Sequence, residues 1–388
     1  MKYDDRYIVE LSRAAIFDDT PFVPEESVNW EYIYNKSIEQ NITGLLFTAV
    51  SKLSEEYRPN KDLFVKWQQK MLETIVITSR QYNEFLKMSK VINDKGIKMV
   101  ALKGAVLRTF YPVPELRTMG DFDVIVENDS LKVVGELFGS NGYAVTKDLF
   151  GIVADNKKTL WEIFTALEEE FLVNTRTWSS KILVNTMELN GVNTTSYTYF
   201  LAHTVIHMGK HYIEKGAGIR NLCDIALFVS KYKEQIDFVL LKNICDEQNF
   251  RKILNYTLNA LNQWYGVELS GIDFEKADTG KFVEYFLANG IFGKHDNVLL
   301  RQFSLDERED SKGLKRLLFP PAATLKNRYK YLQKYPFLLP VAWVQRILYG
   351  RFTKKVKFSR MIKDIKGASA FSDERLKWLK ELDLIERH

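Results

Sequence analysis

The hydrophobic pattern of the chain changes its period at Gly96, and this change constrains the fold strongly. Up to that point apolar side chains recur at helical spacing, as in "LFVKWQQKMLETIVITSRQYNEFLKMSKVINDKG". After it come short apolar segments, "IKMVAL" and "DFDVIVE", separated by a glycine turn and a helix, "KGAVLRTFYP". The helix "SLKVVGELFGSNG" and two further segments follow, "YAVTKDLFGIVAD" (a strand and a turn) and the strand "KTLWEIFTAL". This order predicts a small mixed α/β unit of roughly 90 residues.

Helical patterns dominate again from Ser196, in "YTYFLAHTVIHMGKHYIEKG", "GIRNLCDIALFVSKY", "VLLKNICDEQNFRKILNYTLNALNQWYG" and "GKFVEYFLANGIF". A polar break at 304–313 then precedes a basic stretch. We therefore predict an α+β protein in four parts: an N-terminal helical region (1–90), an α/β core (91–190), a helical domain (191–303) and a basic helical C-terminal region (304–388).

The composition places the chain in a broad class. Its 388 residues are 46% hydrophobic and 27% charged, which is typical of a soluble globular protein. The start, "MKYDDRYIVE", does not read as a signal peptide, and no apolar run approaches the roughly 20 residues of a membrane span. Two cysteines, Cys223 and Cys245, suit a reducing compartment. We expect a cytoplasmic protein without a transmembrane segment.

Two aspartates stand at the start of the β-prone segment "DFDVIVE". Alternate side chains of a strand share a face, so Asp121 and Asp123 are expected to project together. Two neighbouring carboxylates repel each other, and a divalent cation with a preference for oxygen ligands removes that cost. Alternatively, Asp121 caps the strand or a turn after Gly120, and Asp123 faces solvent on an edge strand.

Residues upstream of the aspartates favour the metal-binding interpretation. Lys103 and Gly104 lie where a strand turns into a helix, a place where backbone N–H groups and a lysine charge favour a phosphate. Arg117 adds a guanidinium four residues before Asp121. A phosphate cradle followed by paired carboxylates is suited to nucleotidyl transfer.

The stretch "LKGAVLRTFYP…LRTMGDFDVIV" resembles the motif region of the DNA polymerase β-like nucleotidyltransferase superfamily. It is most similar to the bacterial family of uncharacterised nucleotidyltransferases. The resemblance covers residues 96–165, and "H…H…GIR..CDIA" at 203–226 is similar to the family's second domain. Two features depart from the superfamily pattern: lysine stands where many members have Gly-Ser or Gly-Gly, and the gap to the first aspartate is longer.

The resemblance implies a mixed-sheet nucleotidyltransferase core that uses Mg²⁺ or Mn²⁺ to move an NMP group from an NTP to a hydroxyl. Asp121 and Asp123 would then be catalytic metal ligands. The third carboxylate of the superfamily lies on a later strand, where Glu162 is the best candidate. A surface glutamate on an edge strand is the alternative for Glu162, and Asp148 and Asp155 are weaker rivals.

Three histidines, His203, His207 and His211, recur at a spacing of four, which places them on one face of a helix. Without a further ligand or an H-E-x-x-H motif, a structural or phosphate-facing stripe is favoured over zinc. The resemblance implies that this helix and the next close the nucleotide cleft. The residues it assigns to nucleotide binding there are Lys210, Arg220 and Asp224. An intrahelical salt bridge between Arg220 and Asp224 is the alternative.

The net charge is only +5, but it is concentrated near the C-terminus. Between Lys312 and Lys366 the single acid is Asp364, and tyrosines and tryptophan interleave with the bases. This pattern indicates RNA or another anionic partner, or else solvated helix faces balanced by acidic segments elsewhere. We therefore keep two further hypotheses beside the enzyme: a non-catalytic nucleotide- or RNA-binding module on the same scaffold, and peripheral attachment to anionic membranes through "FLLPVAWVQRILYGRFTKKVK".

Overall fold

The computed structural model describes residues 1–147, 150–165, 175–214, 216–289, 331–343, 345, 377–378 and 381–382. Most of these belong to one compact unit, Met1–Tyr212 with Gly216–Phe292. A second unit comprises Ile213–Lys215 and Gly293–His388. The predicted α+β class is confirmed, while the four predicted parts of the chain and the three boundaries between them stay predictions.

Four helices precede the sheet, as the helical spacing predicts: α1 (Tyr3–Phe17), α2 (Trp30–Glu39), α3 (Thr43–Val50) and α4 (Lys61–Asn93). The side chain of Asn60 caps α4 by accepting a hydrogen bond from the backbone N–H of Leu63 at 3.0 Å. Gly96, at φ +70°, follows the end of α4 and begins the turn into the sheet.

Five strands form one mixed sheet in the order β1-β2-β5-β4-β3. The strands are β1 (Met99–Ala101), β2 (Phe122–Val126), β3 (Ala144–Lys147), β4 (Gly151–Asp155) and β5 (Leu160–Phe164). Only β2 and β5 run parallel, and the other neighbours are antiparallel. The segment interpreted as a strand and a turn is therefore a pair of strands, β3 and β4.

The helices α5 (Gly104–Leu107) and α6 (Leu131–Ser140) connect the first strands of this sheet. Phe122 of β2 and Trp161 of β5 point to one face, with ring centroids 4.8 Å apart. Phe85 of α4 and Phe138 of α6 cover them at 5.1 to 5.4 Å. This aromatic layer seals one face, so polar side chains of β2 and β5 are directed to the other.

A second, two-stranded sheet was not predicted from the sequence. It follows α7 (Thr175–Val184) and consists of β6 (Thr186–Leu189) and β7 (Val192–Thr195). Thr194 Oγ1 donates to the carbonyl of Ala101 at 2.7 Å, which attaches this hairpin to the edge strand β1.

The remaining helices of this unit are α8 (Tyr197–Glu214), α9 (Ile219–Tyr232), α10 (Phe238–Glu247), α11 (Arg251–Tyr265) and α12 (Gly280–Asn289). The long helical stretch of the sequence thus divides between α10 and α11, where Asn249 has φ +61°. Tyr265 of α11 contacts Ser12 of α1 and Cys223 of α9 at 3.2 and 3.5 Å, so the N-terminal and C-terminal helices share one core.

In the second unit the structure describes α13 (Tyr331–Lys334) and a 3₁₀ turn, Pro336–Leu338. Leu332 and Ala342 are buried there against partly buried neighbours that include Trp343. Of the predicted basic C-terminal region (304–388), the structure describes residues 331–343, 345, 377–378 and 381–382, and the other residues lie outside the described part. Within the described part of the chain, no helix is both long and apolar enough to cross a membrane.

Candidate active site

Two of the predicted carboxylates, those of Asp123 and Glu162, lie on the face of the sheet opposite the aromatic layer. Asp123 of β2 is paired in register with Glu162 of the parallel strand β5. Because their neighbours Phe122 and Trp161 pack together on the other face, Asp123 and Glu162 share this one. Asp121 directly precedes β2 and is half-buried. Asp121 stands two residues before Asp123, and its negative charge adds to the burial that raises the pKa of Asp123.

Asp123 is a buried carboxylate, with only 5% of its surface exposed. Burial raises its pKa, and the ammonium of Lys103 partly offsets that effect. Lys103 Nζ donates to Asp123 Oδ1 at 2.7 Å, the distance of a charge-assisted hydrogen bond. A cation therefore already neutralises this carboxylate.

The turn between β1 and α5 places Lys103 in an unusual backbone conformation, with φ 48° and ψ −117°. A residue with a side chain is strained there, and such strain is common at functional sites. The turn is fixed by hydrogen bonds: the N–H of Leu102 donates to the carbonyl of Asp123, and the N–H of Leu107 donates to the carbonyl of Lys103, both at 2.9 Å. The lysine side chain is consequently held at the end of β2.

The histidine stripe of α8 reaches the same lysine. His207 Nε2 lies 2.7 Å from Lys103 Nζ and 3.1 Å from His211 Nε2. Burial, followed by the charge of Lys103, lowers the pKa of His203 and of His207 well below the ordinary range. His207 is therefore neutral at physiological pH, and its Nε2 can accept a hydrogen bond from the Lys103 ammonium.

A second cluster surrounds Asp224 of α9. Arg117 donates to it twice, from Nε at 3.1 Å and from Nη2 at 2.7 Å, and Tyr111 donates from its hydroxyl at 2.7 Å. Burial works against the charge of Arg117, but Asp224 outweighs it and the pKa of Arg117 is raised. The carboxylate of Asp224 is thus paired with Arg117 rather than with Arg220.

Arg220 of α9 contacts Thr118, which lies in the segment before β2, directly after Arg117. Its Nη1 donates to the carbonyl and the hydroxyl of Thr118 at 2.8 and 2.6 Å. Burial, reinforced by the charge of Arg117, lowers the pKa of Arg220 to about 10. Together Arg117 and Arg220 tie the segment before β2 to the helical part of the molecule.

Gly104 contributes through close packing. A Cβ at this position would lie 2.5 Å from Arg117 Nη1 and 3.1 Å from Met119. The helix that it begins, α5, has only four residues. Contact of Gly104 with a phosphate stays a prediction, and so does phosphate binding by Arg117, whose Nε and Nη2 are directed to Asp224.

The structure therefore divides the predicted residues between two clusters. In the first cluster Lys103 contacts Asp123, Asp123 is paired in register with Glu162, and Asp121 directly precedes β2. The charge of Lys210 is close enough to add to the burial that lowers the pKa of His203 and His207. Arg117, Arg220 and Asp224 form the second cluster. The charge of Asp121 acts on both arginines: it adds to the raised pKa of Arg117 and opposes the lowering of the pKa of Arg220 by burial.

One of the two rivals of Glu162, Asp155, occupies another place in the sheet. Asp155 ends β4, where its side chain accepts a hydrogen bond from the N–H of Lys157 within a tight turn. Asp148 lies outside the described residues. His207 and Tyr111, in contrast, belong to the two clusters but were not among the predicted site residues. The spacing of the histidines was the only sequence signal for His207.

The donor set suits a hard divalent cation. Asp121, Asp123 and Glu162 offer carboxylate oxygens, and Mg²⁺ binds one or two carboxylates together with substrate phosphates. The Lys103 ammonium contacts Asp123 where a metal cation would otherwise contact this carboxylate. Among the residues that the structure describes, no three His, Cys, Asp or Glu side chains are grouped so that they could hold a metal by themselves. A metal at this place would therefore need further ligands from a substrate, in addition to carboxylates such as Asp123 and Glu162.

A family model described as "Uncharacterised nucleotidyltransferase" matches residues 26–266. The chain belongs to this nucleotidyltransferase family. The matched segment includes both clusters, from Lys103 to Asp224, and extends from α2 to the end of α11. The resemblance inferred from the motifs is confirmed.

Similar solved structures include two of ANT(2″)-Ia. The crystal structure of ANT(2″)-Ia in complex with adenylyl-2″-tobramycin is 12% identical, with 43% of this chain and 98% of that chain covered and a TM-score of 0.34. The solution structure of the antibiotic-resistance factor ANT(2″)-Ia is 11% identical, with 49% and 100% covered and a TM-score of 0.34.

A third similar structure is that of an antigenic nucleotidyltransferase-like protein from Paracoccidioides brasiliensis. It is 14% identical, with 40% of this chain and 75% of that chain covered and a TM-score of 0.26. No curated protein matches the chain.

Proposed function

We propose that this member of the nucleotidyltransferase family is an active, divalent-metal-dependent enzyme that transfers an NMP group from an NTP to a hydroxyl acceptor. One observation carries the proposal: a buried Asp123 is paired in register with Glu162, adjoins Asp121, and is contacted by a lysine. Placing a buried carboxylate beside other carboxylates is unfavourable without a cation, and a nucleotide-bound metal would supply one.

In the proposed reaction the acceptor oxygen bonds to the α-phosphorus and the bond from that phosphorus to the bridging oxygen breaks, so that pyrophosphate leaves. Asp121 and Asp123 hold Mg²⁺ or Mn²⁺, and Glu162 is either a third ligand or the base that takes the hydroxyl proton. When bound, the metal would polarise the phosphate and neutralise the charge of the leaving pyrophosphate.

Lys103, Gly104, Arg117, Lys210, Arg220 and Asp224 are the proposed nucleotide-binding residues. Lys103 is placed to bind phosphate directly, since its ammonium already lies at Asp123. Arg117 and Asp224 would shape the cleft through their mutual ion pair.

The acceptor (a small molecule, RNA or protein) is not selected by these contacts, and the basic stretch 312–366 is proposed to serve an anionic partner. We also propose a cytoplasmic location and the four-part division at 90, 190 and 303.

The test is the double variant Asp121→Asn plus Asp123→Asn, assayed for label transfer from each α-labelled NTP with Mg²⁺ or Mn²⁺. We expect transfer to be abolished, because both neutral amides lose their affinity for the metal, while circular dichroism shows an unchanged fold. Asp129→Asn, an exposed carboxylate three residues beyond β2, is the matched control and should transfer normally. Normal labelling by the double variant would refute the proposed site.

A non-catalytic binding module is the second candidate, because Lys103 already neutralises Asp123 and the described residues contain no self-sufficient metal group. Calorimetry with Mg-ATP separates the two. Nucleotide binding without turnover, for all four NTPs and a range of acceptors, would favour the module.

A further inference from the structure

We propose that the Lys103 ammonium occupies the cation position at Asp123 until a nucleotide arrives, so that metal and nucleotide enter this site together. This inference rests on the proposed function and deepens it, since it concerns how the same site takes up its metal. According to this inference, the protein without nucleotide binds divalent metal weakly. The phosphate chain of the nucleotide draws the ammonium away from Asp123 and delivers the metal in its place.

The first support is the contact itself. Lys103 Nζ lies 2.7 Å from Asp123 Oδ1, and the side chains of these residues are only 16% and 6% exposed. In such an environment water screens charge poorly, so an ammonium on the carboxylate both uses an oxygen and repels an incoming dication. Metal entry therefore competes directly with the lysine.

The second support is that the backbone of Lys103 is fixed while its side chain is adaptable. The strained turn is held by β2, through the carbonyl of Asp123, and by α5, through the hydrogen bond from the N–H of Leu107 to the carbonyl of Lys103. Lysine, however, is a compact charge on a flexible four-carbon stem. The ammonium can thus exchange one anion for another without any change in the turn.

The third support is the neutral partner of the lysine. His207 Nε2 lies 2.7 Å from Lys103 Nζ on the side of α8. An imidazole that accepts a hydrogen bond holds the ammonium without adding a charge that would oppose its move to a phosphate. His207 is in turn contacted by His211 at 3.1 Å. We infer that His207 is a positioning residue, which keeps the lysine in the cleft after it leaves Asp123.

The test measures binding of Mn²⁺ alone to the full chain, by electron paramagnetic resonance and calorimetry, without nucleotide. We expect Lys103→Met to bind Mn²⁺ at least tenfold more tightly than the natural protein, because Asp123 is then free of its competing cation. Lys103→Arg keeps the positive charge, so its affinity for Mn²⁺ should remain as weak as that of the natural protein. Lys98→Met removes an exposed lysine just before β1 and should stay within twofold of the natural protein.

Thermal unfolding supplies a second readout in case loss of the buried lysine lowers stability. Mn²⁺ should raise the unfolding temperature of Lys103→Met and of Lys103→Gln far more than that of the natural protein. The reason is that a ligand that binds only the folded state stabilises that state. Potassium chloride at equal ionic strength should not reproduce this. An equal response in the natural protein would contradict the inference.

The variant Asp123→Asn separates this inference from the proposed function. If Lys103→Met and the natural protein bind Mn²⁺ with equal affinity, and Asp123→Asn abolishes that binding, then only the competition by Lys103 is refuted. If none of the proteins binds Mn²⁺, with or without nucleotide, the metal-dependent function fails as well. A gain in Lys103→Met that disappears when Asp123→Asn is added would establish the proposed competition.

Discussion

Arg117 and Asp224 form an ion pair whose side chains are only 7% and 4% exposed. Both nitrogens of the guanidinium fork are used, and Tyr111 provides a further hydrogen bond to the same carboxylate. A buried ion pair adds little to the free energy of unfolding when it is compared with a packed apolar pair. Removal of one partner, however, leaves the other charge buried without compensation. The pair therefore determines how the segment before β2 is attached to α9.

We predict that Arg117→Leu lowers the free energy of unfolding by about 3 to 5 kcal/mol, because Asp224 is then buried without its cation. Urea denaturation measures the change. Lys90→Ala is the matched control, since it breaks the exposed pair with Asp94 and should change stability by less than about 1 kcal/mol. The double variant Arg117→Leu plus Asp224→Leu should recover part of the loss; no recovery would contradict this account.

At the scale of elements, α8 determines where the histidine stripe lies relative to the sheet. Gly209 sits on α8 between His207 and His211, and a Cβ there would lie 2.5 Å from two ring carbons of Phe250. Phe250 directly precedes α11 and is buried. The absence of a side chain at 209 thus allows α8 to approach the α10–α11 junction closely.

We predict that Gly209→Ala destabilises the protein by about 1 to 3 kcal/mol, because an added methyl group in a packed contact forces side chains or backbone to shift. Gly139→Ala is the control: it lies in α6 with no atom within 4 Å of the new Cβ. It should be neutral or stabilising by about 0.5 to 1 kcal/mol. Equal effects of the two substitutions in denaturant would contradict the close approach.

At the scale of the whole molecule, buried titratable groups make stability depend on pH. The pKa values of His203 and His207 are lowered in the folded state, mainly by burial and then by Lys103. Below about pH 6.5 the unfolded chain therefore binds more protons than the folded one. The raised pKa of Asp123 acts in the opposite direction, because the folded state retains that proton to higher pH.

We predict that stability falls between about pH 6.5 and pH 5, with each buried histidine contributing up to about 1.4 kcal/mol per pH unit. His203→Leu should reduce the slope by about one proton, and it removes a buried Nε2 that lacks a hydrogen-bond partner in the structure. Asp123 is present in both proteins, so its effect cancels in the comparison. Denaturation across this range gives the slopes, and identical slopes would contradict the prediction.

Much of the fold could be predicted from local patterns in the sequence. The helical spacing up to Gly96, the apolar strands β1, β2 and β5, and the later helices are all recovered, because each depends on periodicity within a short window. The β6–β7 hairpin also had a local signal that was missed. Asn190 and Gly191, at φ 50° and 78°, are a typical hairpin turn pair.

The sequence by itself determined that His203, His207 and His211 share one face of a helix, because the helical period is a property of the local backbone. That Asp121 and Asp123 project together stays a prediction, since Asp121 precedes β2. The tertiary structure alone decided the partners, since Lys103 meets His207 across 104 positions and Arg117 meets Asp224 across 107. Such pairings depend on how β1, β2, α8 and α9 pack against one another. Nothing in the local sequence distinguishes an arginine that binds a phosphate from one held by a distant aspartate.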